Sequence, residues 1–157
     1  MNRAVLCLVL LLSGCLRSEL IVSHPVTGAA IEVVSLDPIT NQTEYDDIPF
    51  ELESRVRDAL QQRYHLHLSS DKPDVQLKLT FVLFRRGSLS RQQDNSSKTL
   101  LAIATLEMFD SNGKSLGLTR QQRSEQYNDT SLFAFDEART ILIKRLADQL
   151  VVDLLEP

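Results

Sequence analysis

The segment from Val75 to Phe84 constrains the fold most strongly, because its side chains alternate with the period of a β-strand. Five apolar residues share one face of this segment: Val75, Leu77, Leu79, Phe81 and Leu83. The other face begins polar, and it consists of Gln76, Lys78, Thr80, Val82 and Phe84. A strand with one apolar face must pack on a core, so we predict a sheet with one covered side and one open side.

Further strands are predicted on either side of this one. The run 30–36 is rich in β-formers and predicts a first strand, and 65–68 is a short extended piece. A strand from Thr99 to Phe109 leads into Asn112-Gly113, a pair that favours a tight hairpin turn. The returning strand, from Ser115 to about Gln126, is so polar beyond Arg120 that we predict a sheet edge or a run beyond the sheet.

Two segments have the apolar stripe of an amphipathic helix, namely 47–64 and 132–155. Asp47 is the predicted N-cap of the first helix, and Pro49 suits its first turn. We therefore predict an α+β two-layer sandwich of order β-α-β-β-β-α. Its four-stranded mixed sheet has its first two strands parallel and the rest in a meander, with both helices on one face.

The N-terminus has the pattern of an export signal. The apolar run 4–12 would span only about 14 Å as a helix, too little to cross a bilayer. It ends in Leu12-Ser13-Gly14-Cys15, which resembles the lipobox of bacterial lipoproteins; the alternative is an ordinary signal peptide with a chance cysteine. The resemblance implies cleavage before Cys15 and lipidation of its sulfur. Because Leu16 is not Asp, it also implies the periplasmic side of the outer membrane.

These features divide the chain into three parts. We predict a signal peptide over 1–14, a lipidated cysteine and tether over 15–29, and a single α+β domain over 30–157. The net charge of −4 argues against nucleic acid as a partner. The sequence contains no nucleophile, metal or nucleotide motif, so we predict a non-enzymatic protein without cofactor. His65 and His67 lack a third metal ligand, and we interpret them as solvated strand residues.

Two groups of residues are candidate binding sites. Four basic residues lie near the middle of the chain, with Arg120 and Arg123 on the following strand: Arg85, Arg86, Arg91 and Lys98. Such side chains could pair with phosphate groups, or they could simply be solvated and blunt a sheet edge. The second group forms an apolar patch on the predicted open face: Val82, Phe84, Leu101, Ile103 and Phe109. This patch predicts a protein contact, with strand ends covered by loops as the alternative.

The order and spacing of these segments resemble the LptE family of outer-membrane lipoproteins. The resemblance is carried by Ile31 to Leu36, Leu52 to Leu60, Asp74 to Leu79, Asn112-Gly113-Lys114 and Ala138 to Leu150. It implies a plug and assembly partner for the lipopolysaccharide-export barrel LptD, with lipopolysaccharide as a candidate ligand of Arg91 and its neighbours. The alternative is a TolB-N-like or LpoB-like module that engages an envelope synthase or secretion component. The tether of about 15 residues, at most roughly 50 Å long, favours a partner at the membrane itself.

Overall fold

The computed structural model describes residues 21–25, 27–88, 97–128, 131 and 133–156. The predicted lipidation site Cys15 and the predicted ligand residue Arg91 lie outside these ranges. The elements, in chain order, are β1 (Val33–Leu36), β2 (Thr40–Asn41), α1 (Asp47–Tyr64), β3 (His67–Leu68), β4 (Val75–Ser88), β5 (Ser97–Phe109), β6 (Ser115–Asn128) and α2 (Ala134–Leu155).

The strands form one mixed sheet. Its order is β3-β1-β4-β5-β6, and the short β2 pairs with β4 beyond the end of β1. β1 runs parallel to β4, whereas β4, β5 and β6 form an antiparallel meander. These findings confirm the α+β class and the predicted topology. The sheet has two more strands than predicted, because the short segments β2 and β3 each pair with a longer neighbour.

Both helices cover the same face of this sheet. α1 buries a stripe that begins at Ile48 and ends at Tyr64. α2 packs on β5 and β6, and its Leu142, Leu146 and Leu150 have no exposed surface. Under the helices, every second residue of β5 from Leu100 to Met108 is buried. The fold is therefore two layers around one apolar core, which leaves the other face of the sheet without a covering layer among the described residues.

The first turns of the two helices are joined by ion pairs of Arg139. Its guanidinium lies 3.1 Å from Asp47, 3.5 Å from Glu51 and 3.7 Å from Asp136. Asp47 is the first helical residue, and no side chain caps the helix at Asp46. The prediction that Asp47 caps α1 is therefore wrong, because its carboxylate pairs with Arg139 on the neighbouring helix.

The turn between β5 and β6 has the predicted geometry. Gly113 has a φ of +77°, which an L side chain rarely adopts. The Asp110 side chain accepts hydrogen bonds from the backbone N–H groups of Asn112 at 2.8 Å and Lys114 at 2.9 Å. The Asn-Gly signal thus predicts this hairpin correctly, and a bulge at Leu116 then shifts the register in which β6 returns along β5.

A β-bulge in β4 reverses the alternation of its side chains. The pairing with β5 shifts between Phe81 and Leu83, so Val82 is an extra residue in β4. Beyond it Phe84 belongs to the buried core and lies opposite Ala102, and Leu83 lies opposite Ile103. Strict alternation places Leu83 in the core and Phe84 on the open face, and both of those assignments are wrong because the bulge intervenes.

The packed part of the chain begins before the predicted domain start at residue 30. Ser23 and Ala30 form an antiparallel bridge, and the N–H of Ile31 donates to the carbonyl of Val22 at 2.8 Å. Val22 is buried in the core. The part of the sequence read as a tether therefore contributes a short hairpin that packs beside the start of β1.

Candidate functional site

The two neighbouring arginines at the end of β4 lie on opposite faces of the sheet. Arg85 is opposite Leu101, whose neighbours on the same face of β5 are Ile103 and Thr105. Arg86 is opposite Leu100, which is fully buried beneath the helices. The two predicted ligand residues cannot act as one cluster, since successive residues of a strand point to opposite sides.

Arg86 is held on the helix side by two aromatic rings. Its guanidinium carbon lies 5.7 Å from the centroid of Tyr127 and 5.6 Å from that of Phe135. The two rings meet edge to face at 6.0 Å. Arg86 therefore joins the end of β4 to the start of α2 through cation–π contacts, which gives it a structural role. Lys98 lies on the same side, opposite Tyr127.

Arg85 lies on the open face beside three apolar side chains, of which Leu83 and Leu101 are half-buried and Ile103 is nearly buried. Leu83 and Ile103 are opposite one another, and Leu101 lies next to Ile103 on the same face. Arg120 borders these residues from β6, opposite Thr105. Together, Leu83, Leu101 and Ile103 with Arg85 and Arg120 are called the open-face strip below. Within the described residues neither arginine of this strip forms an ion pair, and both are exposed.

The structure divides the predicted partner contacts between the two faces. Ile103 is on the open face but only 9% exposed, and Phe109, also on that face, is half-buried. Val82 is half-buried at the bulge and lines a groove of about 390 Å³ along the outer edge of β4. Phe84 is buried, and its ring meets that of Tyr45 edge to face at 4.9 Å. Ile103 and Phe109 thus remain available as open-face contacts, and Phe84 contributes to the core.

The sequence does not predict Leu83 as an open-face residue. It predicts Arg120 only as a neighbour of the four basic residues near the middle of the chain. Leu83 reaches the open face because of the bulge at Val82, which leaves no recognisable signal in the sequence. Arg120 could not have been placed from the turn either, since a bulge at Leu116 shifts the register of β6 between the Asn112-Gly113 turn and Arg120.

The end of the sheet remote from Arg85 is where the N-terminal segment enters, and we call it the tether end. Here Tyr64 donates a hydrogen bond of 2.5 Å to the Glu156 carboxylate, which also pairs with Arg63 at 3.1 Å. Burial raises the pKa of the Tyr64 hydroxyl, and its hydrogen bond to Glu156 adds to the effect. These contacts fasten the last residue of the described chain to the end of α1.

The described residues give no sign of a metal centre or a membrane-spanning helix. Within them no group of three or more potential metal ligands lies together. None of the helices in the described ranges has the length and apolar character needed to cross a membrane. The surfaces that offer groups for binding include the open-face strip, the groove beside β4 and a cavity of about 510 Å³ at the tether end, lined by Ile21, Tyr64 and His67 among others.

Comparison with protein families gives one match. Residues 31–156 match the family model described as "LptE: Lipopolysaccharide-assembly". This range covers everything from the start of β1 to the end of α2. A search of the curated proteins found no significant match.

Solved structures show the same fold at low sequence identity. A protein from Xanthomonas campestris has a TM-score of 0.60 and 11% identity, with 83% of this chain and 87% of that chain covered. A minor lipoprotein from Acinetobacter baumannii has a TM-score of 0.56 and 18% identity, covering 76% and 89% of the two chains. The rare lipoprotein B from Shewanella oneidensis has a TM-score of 0.50 and 16% identity, covering 80% and 92%.

Proposed function

We propose that this chain, which belongs to the LptE family of lipopolysaccharide-assembly proteins, is a lipid-anchored partner of the LptD-like export barrel in the outer membrane. In this proposal it occupies part of the barrel lumen, helps the barrel to assemble and offers cationic groups to lipopolysaccharide. In this role the chain is non-enzymatic: it binds a partner and a ligand, and it makes or breaks no covalent bond.

The observation that carries this proposal is the separation of the tether end from Arg85. β4 begins at Val75, beside the entry of the N-terminal segment, and Arg85 follows later on the same strand. At about 3.3 Å per residue, the two positions lie roughly 33 Å apart. The hydrocarbon core of a bilayer is about 30 Å thick. With its tether end at the periplasmic leaflet and β4 along the barrel axis, the chain would bring Arg85 level with the opposite leaflet.

The open face of the sheet also suits a barrel lumen. The interior of a membrane β-barrel is polar, and most of the open face is polar, from Lys78 on β4 to Gln122 and Ser124 on β6. Its apolar part consists of the open-face strip, the half-buried Phe109 and the exposed Leu118 on β6. A surface of this kind favours a wet contact with a few apolar anchor residues over a large hydrophobic interface.

Lipopolysaccharide binding can be tested with a matched pair of charge reversals. Replacing Arg85 and Arg120 by Glu places two carboxylates on the open-face strip, where they would repel phosphates. We expect the double variant to bind lipopolysaccharide about tenfold more weakly than the unsubstituted chain, both as full-length lipoproteins purified in detergent. The control is the double variant Lys114→Glu with Lys144→Glu, which reverses two exposed charges outside the strip and should leave binding unchanged. Unchanged binding in the variant of Arg85 and Arg120, or equal weakening in the control, would refute the ligand part of the proposal.

The barrel contact can be tested by crosslinking in cells. A photo-crosslinking amino acid at Leu101 or Thr105 would project from the middle of the open face. We expect an adduct with a large outer-membrane β-barrel protein. The partner is identified as a barrel because its folded form resists heat, whereas its unfolded form does not. Recovery of an envelope synthase in its place, with no barrel adduct from either position, would overturn the proposal and support the alternative module.

A further inference from the structure

The cavity of about 510 Å³ at the tether end lies between the N-terminal hairpin and the end of α1. Four of its lining residues are apolar and nearly buried: Val22, Ile31, Tyr64 and Leu66. The polar residues of its lining are exposed: Glu32, His65 and His67. Ile21 also lines the cavity and is 74% exposed. An apolar wall with a large exposed apolar residue beside it indicates a contact with a further apolar group.

The backbone pairing that brings the chain to this cavity stops at Val22. The N–H of Ile31 donates to the carbonyl of Val22 at 2.8 Å. Next along the chain, the N–H groups of Glu32 and Val33 both donate to the Asp74 carboxylate at 2.9 Å, and their carbonyls accept from other backbone N–H groups. Because these groups are already bonded, the segment before Val22 cannot continue the pairing along β1. It must leave the hairpin at the edge of the cavity.

We propose that the segment 16–20 docks at the tether end, with the side chain of Leu20 in this cavity. Leu20 lies two residues before the buried Val22, so both side chains point to the same side of an extended chain. The three residues before Leu20 are polar, which makes Leu20 the apolar side chain of this segment nearest to the cavity. Since it adjoins Ile21 in the cavity wall, its effective concentration there is high, and its burial removes apolar surface from water.

Docking of Leu20 would fix the place at which a lipid anchor leaves the domain. The predicted tether, residues 15–29, could span roughly 50 Å if it were extended, whereas the five steps from Cys15 to Leu20 span at most roughly 18 Å. The tether end would therefore stay within that shorter distance of a lipid on Cys15, and it would face the membrane. This consequence rests on the lipid anchor of the proposed function, but the docking of Leu20 does not.

Thiol labelling of the full-length lipoprotein in detergent tests the docking, with the unsubstituted chain as the background. Leu20→Cys should react with a polar maleimide about tenfold more slowly than Ser18→Cys, because a side chain docked about nine-tenths of the time is accessible for the remaining tenth. Ser18 is nearer to Cys15, so shielding by the detergent would slow Ser18→Cys more and cannot produce this result. Equal rates, or a slower reaction of Ser18→Cys, would overturn the proposal.

Disulfide trapping locates the docked side chain. His67 lines the cavity and is exposed, so His67→Cys leaves the core untouched. On mild oxidation, Leu20→Cys with His67→Cys should form an intramolecular disulfide, seen in the mass of the intact chain, and Ser18→Cys with His67→Cys should form much less. Equal yields, or no disulfide with Leu20→Cys, would count against the docking. Loss of the barrel adduct or of lipopolysaccharide binding, with Leu20→Cys still protected, would contradict the proposed function alone.

Discussion

Arg85 and Arg86 are adjacent in sequence but should respond oppositely to the same substitution. Arg86 contacts the rings of Tyr127 and Phe135 at 5.7 and 5.6 Å. A cation–π contact at an exposed site contributes about 0.5–1 kcal/mol, so Arg86→Gln should destabilise the fold by about 1–2 kcal/mol. Arg85 lies on the open face without an ion pair among the described residues, so Arg85→Gln should stay within about 0.5 kcal/mol of the parent.

The assay is thermal unfolding of the full-length lipoprotein in detergent, followed by circular dichroism. For a domain of this size, the expected decrease in the free energy of unfolding lowers the Tm by about 3–8 °C in Arg86→Gln and by less than about 2 °C in Arg85→Gln. The order should invert for lipopolysaccharide binding, where Arg85→Gln is expected to have the larger effect. Both substitutions keep a long polar side chain and remove one charge, so each controls for the other.

A double-mutant cycle makes the reasoning refutable. Phe135→Leu removes one of the two rings, and combining it with Arg86→Gln should show a coupling free energy of about 0.5–1 kcal/mol. A coupling near zero, or equal destabilisation by the two arginine substitutions, would show that Arg86 does not act through the rings. The assignment of Arg86 to the helix side would then be wrong as well, since it depends on the bulge in β4.

Two further predictions concern stability. Asp74 accepts backbone hydrogen bonds from Val33 and Glu32, which hold the pKa of its carboxyl below the usual value. Its stabilisation is therefore present at neutral pH and is lost as the pH falls through the folded-state pKa. Asp74→Asn should cost about 1 kcal/mol at pH 7, since the site is exposed, and chemical denaturation should show the deficit beginning to shrink near about pH 4 and disappearing below the folded-state pKa. Leu146→Ala, at a fully buried site on α2, should cost about 3–5 kcal/mol in the same assay, and a cost under 1 kcal/mol would contradict the described core.

The sequence predicts the layers and topology of this protein because these depend on periodicity that is local to each element. The alternation over Val75 to Phe81, the Asn112-Gly113 turn and the two helical stripes each determine one element and its buried side. The relative direction of the paired strands then follows, since strands joined by a tight turn are antiparallel and a helical crossover makes its two strands parallel. None of these steps needs information about contacts distant in the chain.

The short strands were harder to predict for the opposite reason. Thr40–Asn41 and His67–Leu68 are two residues each, too short for a period to be visible. Their pairing depends on β4 and β1, which bring partner backbone groups alongside them. The same holds for the pairing of Asp47 with Arg139, because that contact exists only once the two helices lie side by side.

The candidate site is only partly predictable from the sequence, and the limits lie at two bulges, at Val82 in β4 and at Leu116 in β6. The sequence predicts binding by basic and apolar residues around the end of β4, but the assignment of these residues to faces assumes that alternation continues through Val82. One extra residue exchanges Leu83 with Phe84 and decides that Arg86, and not Arg85, faces the helices. A bulge of this kind arises from how β4 fits between β2, β5 and the core, and nothing in the sequence around Val82 marks it. The division of the arginines into one structural and one open-face residue is therefore a property of the packed sheet, and the Arg85 and Arg86 substitutions measure it directly.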